Sequence, residues 1–149
     1  YPLHLISNQP RTKLHSQMDN GALSSSIKIK GHQALEMNPV DAKSRGINEG
    51  DIVRVFNGRG ACLCGVNITN DVMPGVVIIS TGSWYDPVDP ADPKSMCKHG
   101  NPNVLSPDIG TSKLGQGPAA HSCLAEIEYY DGPLQNITAF DPPEIIKKK

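Results

Sequence analysis

An excess of charge of one sign and long apolar runs are both missing from this chain. Its 149 residues carry a formal net charge of −1, so no basic footprint for nucleic acid is present and no nucleic-acid partner is expected. A helix that crosses a bilayer needs about 20 consecutive apolar residues. No such run occurs, and we predict no membrane insertion. Cysteine is scarce, with four residues in 149, which does not favour the dense disulfide framework of a small secreted domain.

The few cysteines are interpreted as packing residues rather than metal ligands. Cys62 and Cys64 lie two apart on a predicted strand, so they share one face and suit the core. Three pairs have the residue types of a zinc site, and they are Cys62-x-Cys64, Cys97-x-His99 and His121-x-Cys123. Paired ligands in structural zinc sites leave roughly two to four residues between them. These pairs leave a single residue, so ordinary packing is the favoured interpretation.

The start of the chain lacks a recognisable secretory signal. It reads Tyr1 rather than Met and enters an apolar segment at once. We therefore interpret the chain as a fragment of a longer protein or as a mature product. Its length suits a single domain over residues 1–149, with residues 141–149 as a flexible, solvated tail.

Glycine and proline are abundant, with 14 and 13 residues, and helical periodicity is rare, which favours a β-rich domain with many loops. Strands are predicted at residues 3–6, 52–56, 61–69, 76–79 and 124–130, with an edge strand at 135–140. The run at 76–79 is continuously apolar, which is typical of a strand buried on both faces. The turn residues at 57–60 predict a hairpin, and Pro74-Gly75 predicts a type II turn.

One short helix, at residues 39–45, has recognisable ends. Asn38 is the predicted N-cap, and Pro39 suits the first helical position, where its missing N–H is no loss. Gly46 suits the left-handed position after the helix. We expect this helix at one end of a barrel of short strands.

Hydrogen-bonding side chains crowd the segment that follows the first strand. A strand that ends at a sheet edge leaves a crevice in which ligands commonly bind. Amide, hydroxyl and imidazole groups supply both donors and acceptors, as the edge of a pterin or a guanine requires, whereas a bare phosphate would favour Lys and Arg. The polar side chains are Ser7, Asn8, Gln9, Arg11, Thr12, His15, Ser16 and Gln17.

Residues 81–122 lack periodicity, and a loop this long in a compact domain is usually functional. Within it, Gly110 and Gly115 have the spacing of a P-loop. Gln116 stands where that motif requires Lys and Gly117 where it requires Ser or Thr, so a P-loop is rejected. The glycines still let backbone approach a ligand closely. Asn103 is a candidate ligand residue, and Trp84 is interpreted as a core or loop anchor. No Gly-x-Ser-x-Gly motif occurs, so nucleophilic catalysis is not favoured.

Taken in order, several motifs resemble one family over nearly the whole chain. This family is the C-terminal molybdopterin-dinucleotide-binding domain of the dimethyl sulfoxide reductase family, in the subgroup of trimethylamine N-oxide, dimethyl sulfoxide and biotin sulfoxide reductases. The motifs are Ser7-Asn-Gln-Pro10, Leu14-His-Ser-Gln17, Asn38-Pro-Val-Asp-Ala-Lys-Ser-Arg-Gly46, Gly82-Ser-Trp-Tyr-Asp-Pro87, His99-Gly-Asn-Pro-Asn-Val-Leu105, Gly110-Thr-Ser-Lys-Leu-Gly-Gln-Gly117 and His121-Ser-Cys-Leu-Ala-Glu-Ile-Glu128.

The resemblance implies a mainly β fold, a six-stranded double-psi β-barrel with short helices and long irregular loops. It implies a domain that holds part of a bis(molybdopterin guanine dinucleotide) molybdenum cofactor. The parent enzyme would reduce an S-oxide or N-oxide by oxygen-atom transfer. In this subgroup the protein ligand to the metal is a Ser of an earlier domain, so no catalytic or metal residue is expected here, and the fragment alone is not expected to be catalytic.

The resemblance also implies cofactor contacts, partners and a location. The partners would be the remaining domains of the parent reductase and a c-type cytochrome as electron donor. The location would be the bacterial periplasm, or the cytoplasm if the parent is like biotin sulfoxide reductase. The implied cofactor-binding residues are Ser7, Asn8, Gln9, Arg11, Leu14, His15, Ser16, Gln17, Asn103, Gln116, Gly117, His121 and Ser122.

A competing interpretation is a stand-alone double-psi barrel binding module, or a small barrel enzyme unrelated to molybdenum. The block at residues 38–60 would fit any barrel of that kind. The polar loops at residues 3–17 and 101–116 would not be expected in one.

Overall fold

Six short strands close into one barrel in a computed structural model that describes residues 1–143 and 145–146. The strands are β1 Leu3–Ile6, β2 Ala34–Met37, β3 Ile52–Phe56, β4 Ala61–Ile68, β5 Val76–Ile79 and β6 Cys123–Tyr129. Around the barrel they follow the order β1-β5-β2-β4-β3-β6. The pairs β1/β5 and β2/β4 are parallel, and the other four pairs are antiparallel. The predicted mainly β, double-psi barrel class is confirmed.

The helices are short, and the predicted one has the predicted ends. They are α1 Ala22–Ser26, α2 Pro39–Ser44 and a 3₁₀ turn at Pro102–Val104. Asn38 caps α2 by accepting a hydrogen bond from the Val40 N–H at 2.9 Å. Gly46, with a φ of 66°, follows the helix, and the Ile47 N–H returns to the Ala42 carbonyl at 3.0 Å. This bond, together with the one that the Gly46 N–H donates to the Lys43 carbonyl at 3.2 Å, satisfies carbonyls that the helix end leaves free.

The barrel interior is filled by apolar side chains and free thiols. All four cysteines are buried and free, as the packing interpretation expects. The neighbouring Cys64 thiol and complete burial raise the pKa of the Cys62 thiol well above its ordinary value of 9.0, so it stays protonated and unreactive. A small barrel has an interior just wide enough for side chains, so the filled interior leaves the barrel ends as the place for a binding site.

The fold differs from the sequence prediction at β2, at α1, at residues 135–140 and in the burial of β5. β2 and α1 were not predicted, because Ala34–Met37 is only four residues long and carries Ala, Glu and Met, which are not strong strand formers. The predicted edge strand at 135–140 is wrong. The N–H groups of Thr138 and Ala139 donate to the Asp86 carboxylate at 2.6 and 3.0 Å instead of to a neighbouring strand.

β5 is buried on one face only, contrary to prediction. Val77 and Ile79 point into the barrel and are fully buried, whereas Val76 and Ile78 are half-buried on the outside. A barrel wall has one inner face, so even a continuous apolar run alternates in burial. The predicted tail at 141–149 falls partly outside the described residues, and its flexibility stays a prediction. Within residues 1–143 and 145–146, none of the helices has the length and apolar character to cross a bilayer.

Candidate functional site

Strand directions bring the two long polar segments to the same end of the barrel. β1 and β5 are parallel, with Ile6 opposite Ile78, so Ser7 and Ser80 leave the barrel side by side. β6 begins there as well, because Cys123 pairs with Leu5. α2 follows the far end of β2 and therefore lies at the opposite end. The convergence of the loops at one barrel end follows from topology alone.

A cavity of about 450 Å³ lies at this end. Its size is within the range typical of small-molecule sites. Among the described residues that line it, none carries a carboxylate, an ammonium or a guanidinium group, so the cavity offers amide, hydroxyl, imidazole and aromatic groups. The lining residues are His15, Ser16, Thr81, Gly82, Ser83, Trp84, Tyr85, Asn101 and Asn103.

Trp84 fixes the loop that carries His15 and Ser16. Its indole N–H donates to the Ser16 carbonyl at 2.8 Å, while its ring packs edge-on against Phe140 with centroids 5.2 Å apart. The interpretation of Trp84 as a loop anchor is confirmed. Trp84 remains 40% exposed and is one of the residues that line the cavity.

Gly82 permits a close approach of backbone under the same loop. A Cβ built on Gly82 would lie 1.7 Å from the His15 carbonyl oxygen, and the residue has a φ of +96°. Only glycine satisfies both conditions. The backbone of His15, itself at a φ of 50°, is therefore held against the start of the 81–122 segment.

A buried ionic network underlies the cavity. Lys13 Nζ donates to Asp19 Oδ1 at 2.7 Å and to Gln33 Oε1 at 2.9 Å. Lys28 Nζ lies 3.0 Å from the same Asp19 oxygen, and the Trp84 N–H donates to Asp19 Oδ2 at 3.0 Å. Burial opposes the ionisation of Asp19, but these donors outweigh it, and the pKa of the carboxyl falls below its ordinary value of 3.8. Asp19 thus binds two ammonium groups and ties the first loop to Trp84.

His99 completes the network as a neutral imidazole. Its Nδ1 lies 2.9 Å from the Trp84 carbonyl and its Nε2 lies 2.9 Å from Lys28 Nζ. Since Lys28 can only donate, Nε2 accepts and Nδ1 carries the hydrogen. Burial, assisted by the Lys28 charge, lowers the pKa of His99 below its ordinary value of 6.5. Sequence reasoning missed this network, because its contacts join positions far apart in the chain and no local pattern predicts them.

Of the predicted cofactor residues, the cavity brings together His15, Ser16 and Asn103. Asn8 lies beside this group, where its carbonyl accepts from the Thr81 N–H at 2.9 Å and its Oδ1 from the Ser80 hydroxyl at 2.7 Å. Ser7 follows β1 directly and is half-buried, and Gln17 is exposed.

Other predicted residues lie apart from the cavity lining. Gln9 braces its own loop, donating to the Lys13 carbonyl at 2.6 Å and accepting from the His15 N–H at 3.2 Å. Arg11 and Leu14 line a separate apolar groove.

Gln116 lines a third cavity with Gly110 and Pro118, and Gly117 accepts from the Thr111 N–H at 2.8 Å. His121 and Ser122 are exposed just before β6, and the His121 carbonyl lies 2.5 Å from His4 Nε2. The cofactor contacts of all these residues stay predictions.

Residues that were candidate zinc ligands form hydrogen bonds with other groups. His99 binds Lys28 and Trp84, and the Cys123 thiol donates to the Leu105 carbonyl at 3.2 Å. Within the part of the chain that the structure describes, no group of three or more His, Cys, Asp or Glu residues could hold a metal ion.

Comparison with known proteins assigns the family. The family model described as "Molydopterin dinucleotide binding domain", where the first word stands for molybdopterin, matches residues 3–124. The chain belongs to this family. It is 47% identical over 144 residues to the dimethyl sulfoxide/trimethylamine N-oxide reductase of Rhodobacter capsulatus, covering 97% of this chain and 18% of that protein.

Two further relatives have related names. The chain is 49% identical over 144 residues to the trimethylamine-N-oxide reductase of Salmonella typhimurium, covering 96% of this chain and 17% of the relative. It is 45% identical over 130 residues to the biotin sulfoxide reductase of Cereibacter sphaeroides, covering 87% of this chain and 17% of the relative. The chain thus spans less than a fifth of the length of these reductases and corresponds to one domain of them.

A solved structure supports the fold independently. The acetylene hydratase from Pelobacter acetylenicus matches with a TM-score of 0.68 at 18% identity, over 87% of this chain and 18% of that chain. At this identity the likeness concerns the fold alone.

The cavity fits the cofactor that gives the molybdopterin dinucleotide binding domain its name. Pterin and guanine rings present neutral donors and acceptors along their edges, and the cavity offers neutral groups of both kinds. Gly82 and the paired Asn101 and Asn103 add backbone and amide groups at its wall. The donor set matches a heterocycle better than a free phosphate or a metal ion.

Proposed function

We propose that this chain is the cofactor-binding domain of a molybdenum-dependent S-oxide or N-oxide reductase, in which it holds part of a bis(molybdopterin guanine dinucleotide) cofactor. The observation that carries the proposal is the neutral, polar cavity at the loop end of a barrel of this family. The names of the relatives support the reaction class. When bound, the cofactor supplies the metal centre for oxygen-atom transfer.

The chain's own part in this function is to bind and orient. Ser16 and Asn103 present a hydroxyl and an amide to the cavity, and His15 presents an imidazole. The backbone of His15 and Ser16 is fixed before any ligand arrives, because Trp84, Gly82 and the buried network hold it from three sides. A preorganised loop loses little conformational freedom on binding, so more of the contact energy appears as affinity.

We assign no catalytic residue within this chain. The relatives are more than five times as long, and the other domains of the parent reductase would supply the metal ligand and the substrate pocket. A c-type cytochrome as electron donor and a periplasmic location stay predictions, and cell fractionation together with reduced-cytochrome oxidation assays would test them.

The cofactor content of the full-length parent reductase tests the proposal. We expect a Ser16→Ala, Asn103→Ala double variant to lose molybdenum and guanine nucleotide, because each unmade buried hydrogen bond costs about 1–3 kcal/mol of affinity. A matched control, Ser44→Ala with Asn70→Ala, changes the same residue types at the opposite end of the barrel and should retain full loading. Equal loading of both double variants would contradict the proposed site.

A further inference from the structure

A short segment after the last strand lies against the residues that support the cavity. This segment, the strap (residues 138–140), follows β6 and is neither helix nor strand. The Asp86 carboxylate accepts hydrogen bonds from the Thr138 and Ala139 N–H groups at 2.6 and 3.0 Å and from the Thr138 hydroxyl at 2.7 Å. Asp86 is buried, so these charge-assisted bonds form away from water. Asp86 thus fastens the strap two residues after Trp84.

Phe140, the last residue of the strap, contacts three residues beneath the cavity. Its ring packs edge-on against the Trp84 ring, with centroids 5.2 Å apart, and against the His99 ring, with centroids 5.1 Å apart. Lys28 Nζ lies over the same ring, 4.6 Å from its centroid. Edge-on aromatic pairs and an ammonium group over a ring are both attractive, because the ring face is negative and its edge positive. One side chain therefore joins an indole, an imidazole and an ammonium group.

Trp84 connects Phe140 to the cavity. The Trp84 indole N–H donates to the Ser16 carbonyl at 2.8 Å, and Ser16 lines the cavity. A hydrogen bond weakens steeply when its angle falls, so the indole holds this carbonyl only while the ring keeps its orientation. Among the described residues, Phe140 makes the only aromatic contact to the Trp84 ring.

Lys28 provides a second connection, through the exclusion of water. Lys28 Nζ lies 3.0 Å from Asp19 Oδ1, and both side chains are almost wholly buried. Burial lowers the pKa of the Lys28 ammonium below its ordinary value of 10.5, in keeping with its desolvation. Charges attract each other more strongly where water is excluded, so the Phe140 ring over Nζ strengthens the pair that fixes Asp19. Asp19 in turn accepts from the Trp84 backbone N–H at 3.0 Å.

We infer that Phe140 is a positioning residue for the loop that carries His15 and Ser16: fastened by the strap, it orients Trp84 and shields the buried ion pair beneath that loop. Phe140 is not among the described residues that line the cavity, so it acts through its neighbours. The strap also lies beyond residues 3–124, over which the family model matches. The inference rests on the proposed function only in taking the cavity as the place of the cofactor.

The other phenylalanine of the chain provides a matched control. Phe56 packs edge-on against Tyr1, with ring centroids 6.2 Å apart, and the Arg54 guanidinium lies 4.5 Å from its ring centroid. These three residues are not among the described residues that line the cavity. Phe56→Ala therefore removes the same kinds of contact as Phe140→Ala, at a place that does not support the loop.

Hydrogen exchange, measured by mass spectrometry on the full-length reductase from cells unable to make the cofactor, tests the positioning role. The reporter is the loop around the Gln17 N–H, which donates to the Leu14 carbonyl at 2.9 Å. We expect Phe140→Ala to raise exchange in this loop about tenfold, since the loss of one aromatic or cation–π contact shifts a local equilibrium by about two- to tenfold. Phe56→Ala should leave it unchanged, and Phe140→Tyr, which keeps the ring, should restore slow exchange.

Three results would overturn the positioning role. The first is unchanged exchange in the loop of the Phe140→Ala variant. The second is a rise that extends equally to α2, at the opposite end of the barrel, because it would report a general loss of stability. The third is fast exchange in Phe140→Tyr, because the loop would then not depend on the ring.

A milder variant loosens the strap and keeps the Phe140 ring. Thr138→Val removes the hydroxyl that donates to Asp86 at 2.7 Å and nearly keeps the shape of the side chain. We expect exchange in the loop to rise about threefold, as the loss of one hydrogen bond allows. Exchange as slow as in the unmodified reductase would show that the strap does not support the loop and would contradict the inference.

Cofactor release from the loaded reductase separates this inference from the proposed function. In urea below the unfolding transition, Phe140→Ala should release guanine nucleotide about tenfold faster than Phe56→Ala, because a loop that is no longer preorganised must be ordered at the expense of binding. Faster exchange in the loop without faster release would support the positioning role and contradict the proposed place of the cofactor. Faster release without faster exchange would overturn the positioning role and leave the proposed function standing.

Discussion

Two loops that carry predicted cofactor residues differ sharply in how they are held. The first, residues 7–19, is fixed by the buried Lys13–Asp19 pair, by the Trp84 indole and by close backbone contact with Gly82. The second, residues 108–118, is almost wholly exposed, and Leu114 in it is 99% exposed. Its described hydrogen bonds stay within the loop, as from the Thr111 N–H to the Gly117 carbonyl at 2.8 Å.

This difference separates a loop that buried contacts fix in place from a loop that only its own hydrogen bonds hold. The first loop keeps its geometry at the expense of strained backbone at His15 and Met18, which the surrounding contacts compensate. The second loop has few contacts to oppose movement of Gln116. We expect changes beneath the first loop to cost stability and cofactor together, and changes in the second loop to leave the folded chain almost unaltered.

Gly82→Ala should give the largest effect. Its Cβ would lie 1.7 Å from the His15 carbonyl oxygen, so the loop must move, and we expect a loss above about 4 kcal/mol, the range of exceptional disruptions. Gly75→Ala is the matched control, because Gly75 also has a positive φ, of 82°, but nothing lies within 4 Å of its Cβ position. The control should cost only the left-handed strain of about 1–2 kcal/mol. Denaturant unfolding measures the free energy of unfolding of both variants. Equal losses would contradict the claim that close contact with Gly82 fixes the first loop.

Lys13→Met should have the next largest effect. Removing one partner of a buried ion pair typically costs about 3–5 kcal/mol, and the lower end applies because Lys28 still pairs with Asp19. Arg54→Met removes an exposed pair with Glu128, whose atoms are 2.8 Å apart, and should cost at most about 1 kcal/mol. The two unfolding free energies, measured under one set of conditions, should differ clearly. A Lys13 variant as stable as the Arg54 variant would show that the buried network does not hold the loop.

Acidification should weaken the fold through His99 and His32. Burial lowers the pKa of each below 6.5 in the folded chain, so the unfolded state takes up the protons more readily. Stability from these groups is fully present above pH 6.5 and is lost as the pH falls toward their folded values. His99→Gln should therefore flatten the fall in unfolding free energy between about pH 7.5 and about pH 5.5. An unchanged slope would argue against a neutral His99 in the network.

Leu114→Ser should have the smallest effect. The side chain is 99% exposed, so the unfolding free energy of the chain should change by less than about 0.5 kcal/mol. Urea titration of the variant beside the unmodified chain provides the measurement. A larger loss would mean that the second loop packs on the barrel, and the contrast between the loops would fail.

Local signals in the sequence predicted much of the fold. The α2 helix was predicted because Asn38, Pro39 and Gly46 act within a few residues of one another, and β1 because its apolar run ends in polar residues. β2 was missed since its strand character comes only from pairing with β4 and β5. This pairing depends on the closed barrel, and the four residues of β2 carry no strand pattern of their own.

The candidate site likewise has a part that the sequence predicted and a part that it did not. The polar residues after β1 indicated a binding loop, and the family resemblance named Asn103, which lies with His15 and Ser16 at one cavity. The support beneath them was not predictable, because Lys13, Gln33 and His99 meet only after the chain has folded. Donor-rich residues can be recognised one at a time, whereas the network that orients them is a property of tertiary contacts.

The central claim is that the cavity formed by His15, Ser16 and Asn103 receives the cofactor, and filling that cavity tests it most directly. Asn103 is exposed on a 3₁₀ turn, and only its backbone N–H has a described contact, to Asn101 Oδ1 at 2.9 Å, so a Trp there should not disturb the barrel. We predict that the full-length reductase with Asn103→Trp folds but lacks molybdenum and guanine nucleotide, while Asn70→Trp at the opposite end keeps both. Full cofactor content in a folded Asn103→Trp protein would contradict the account.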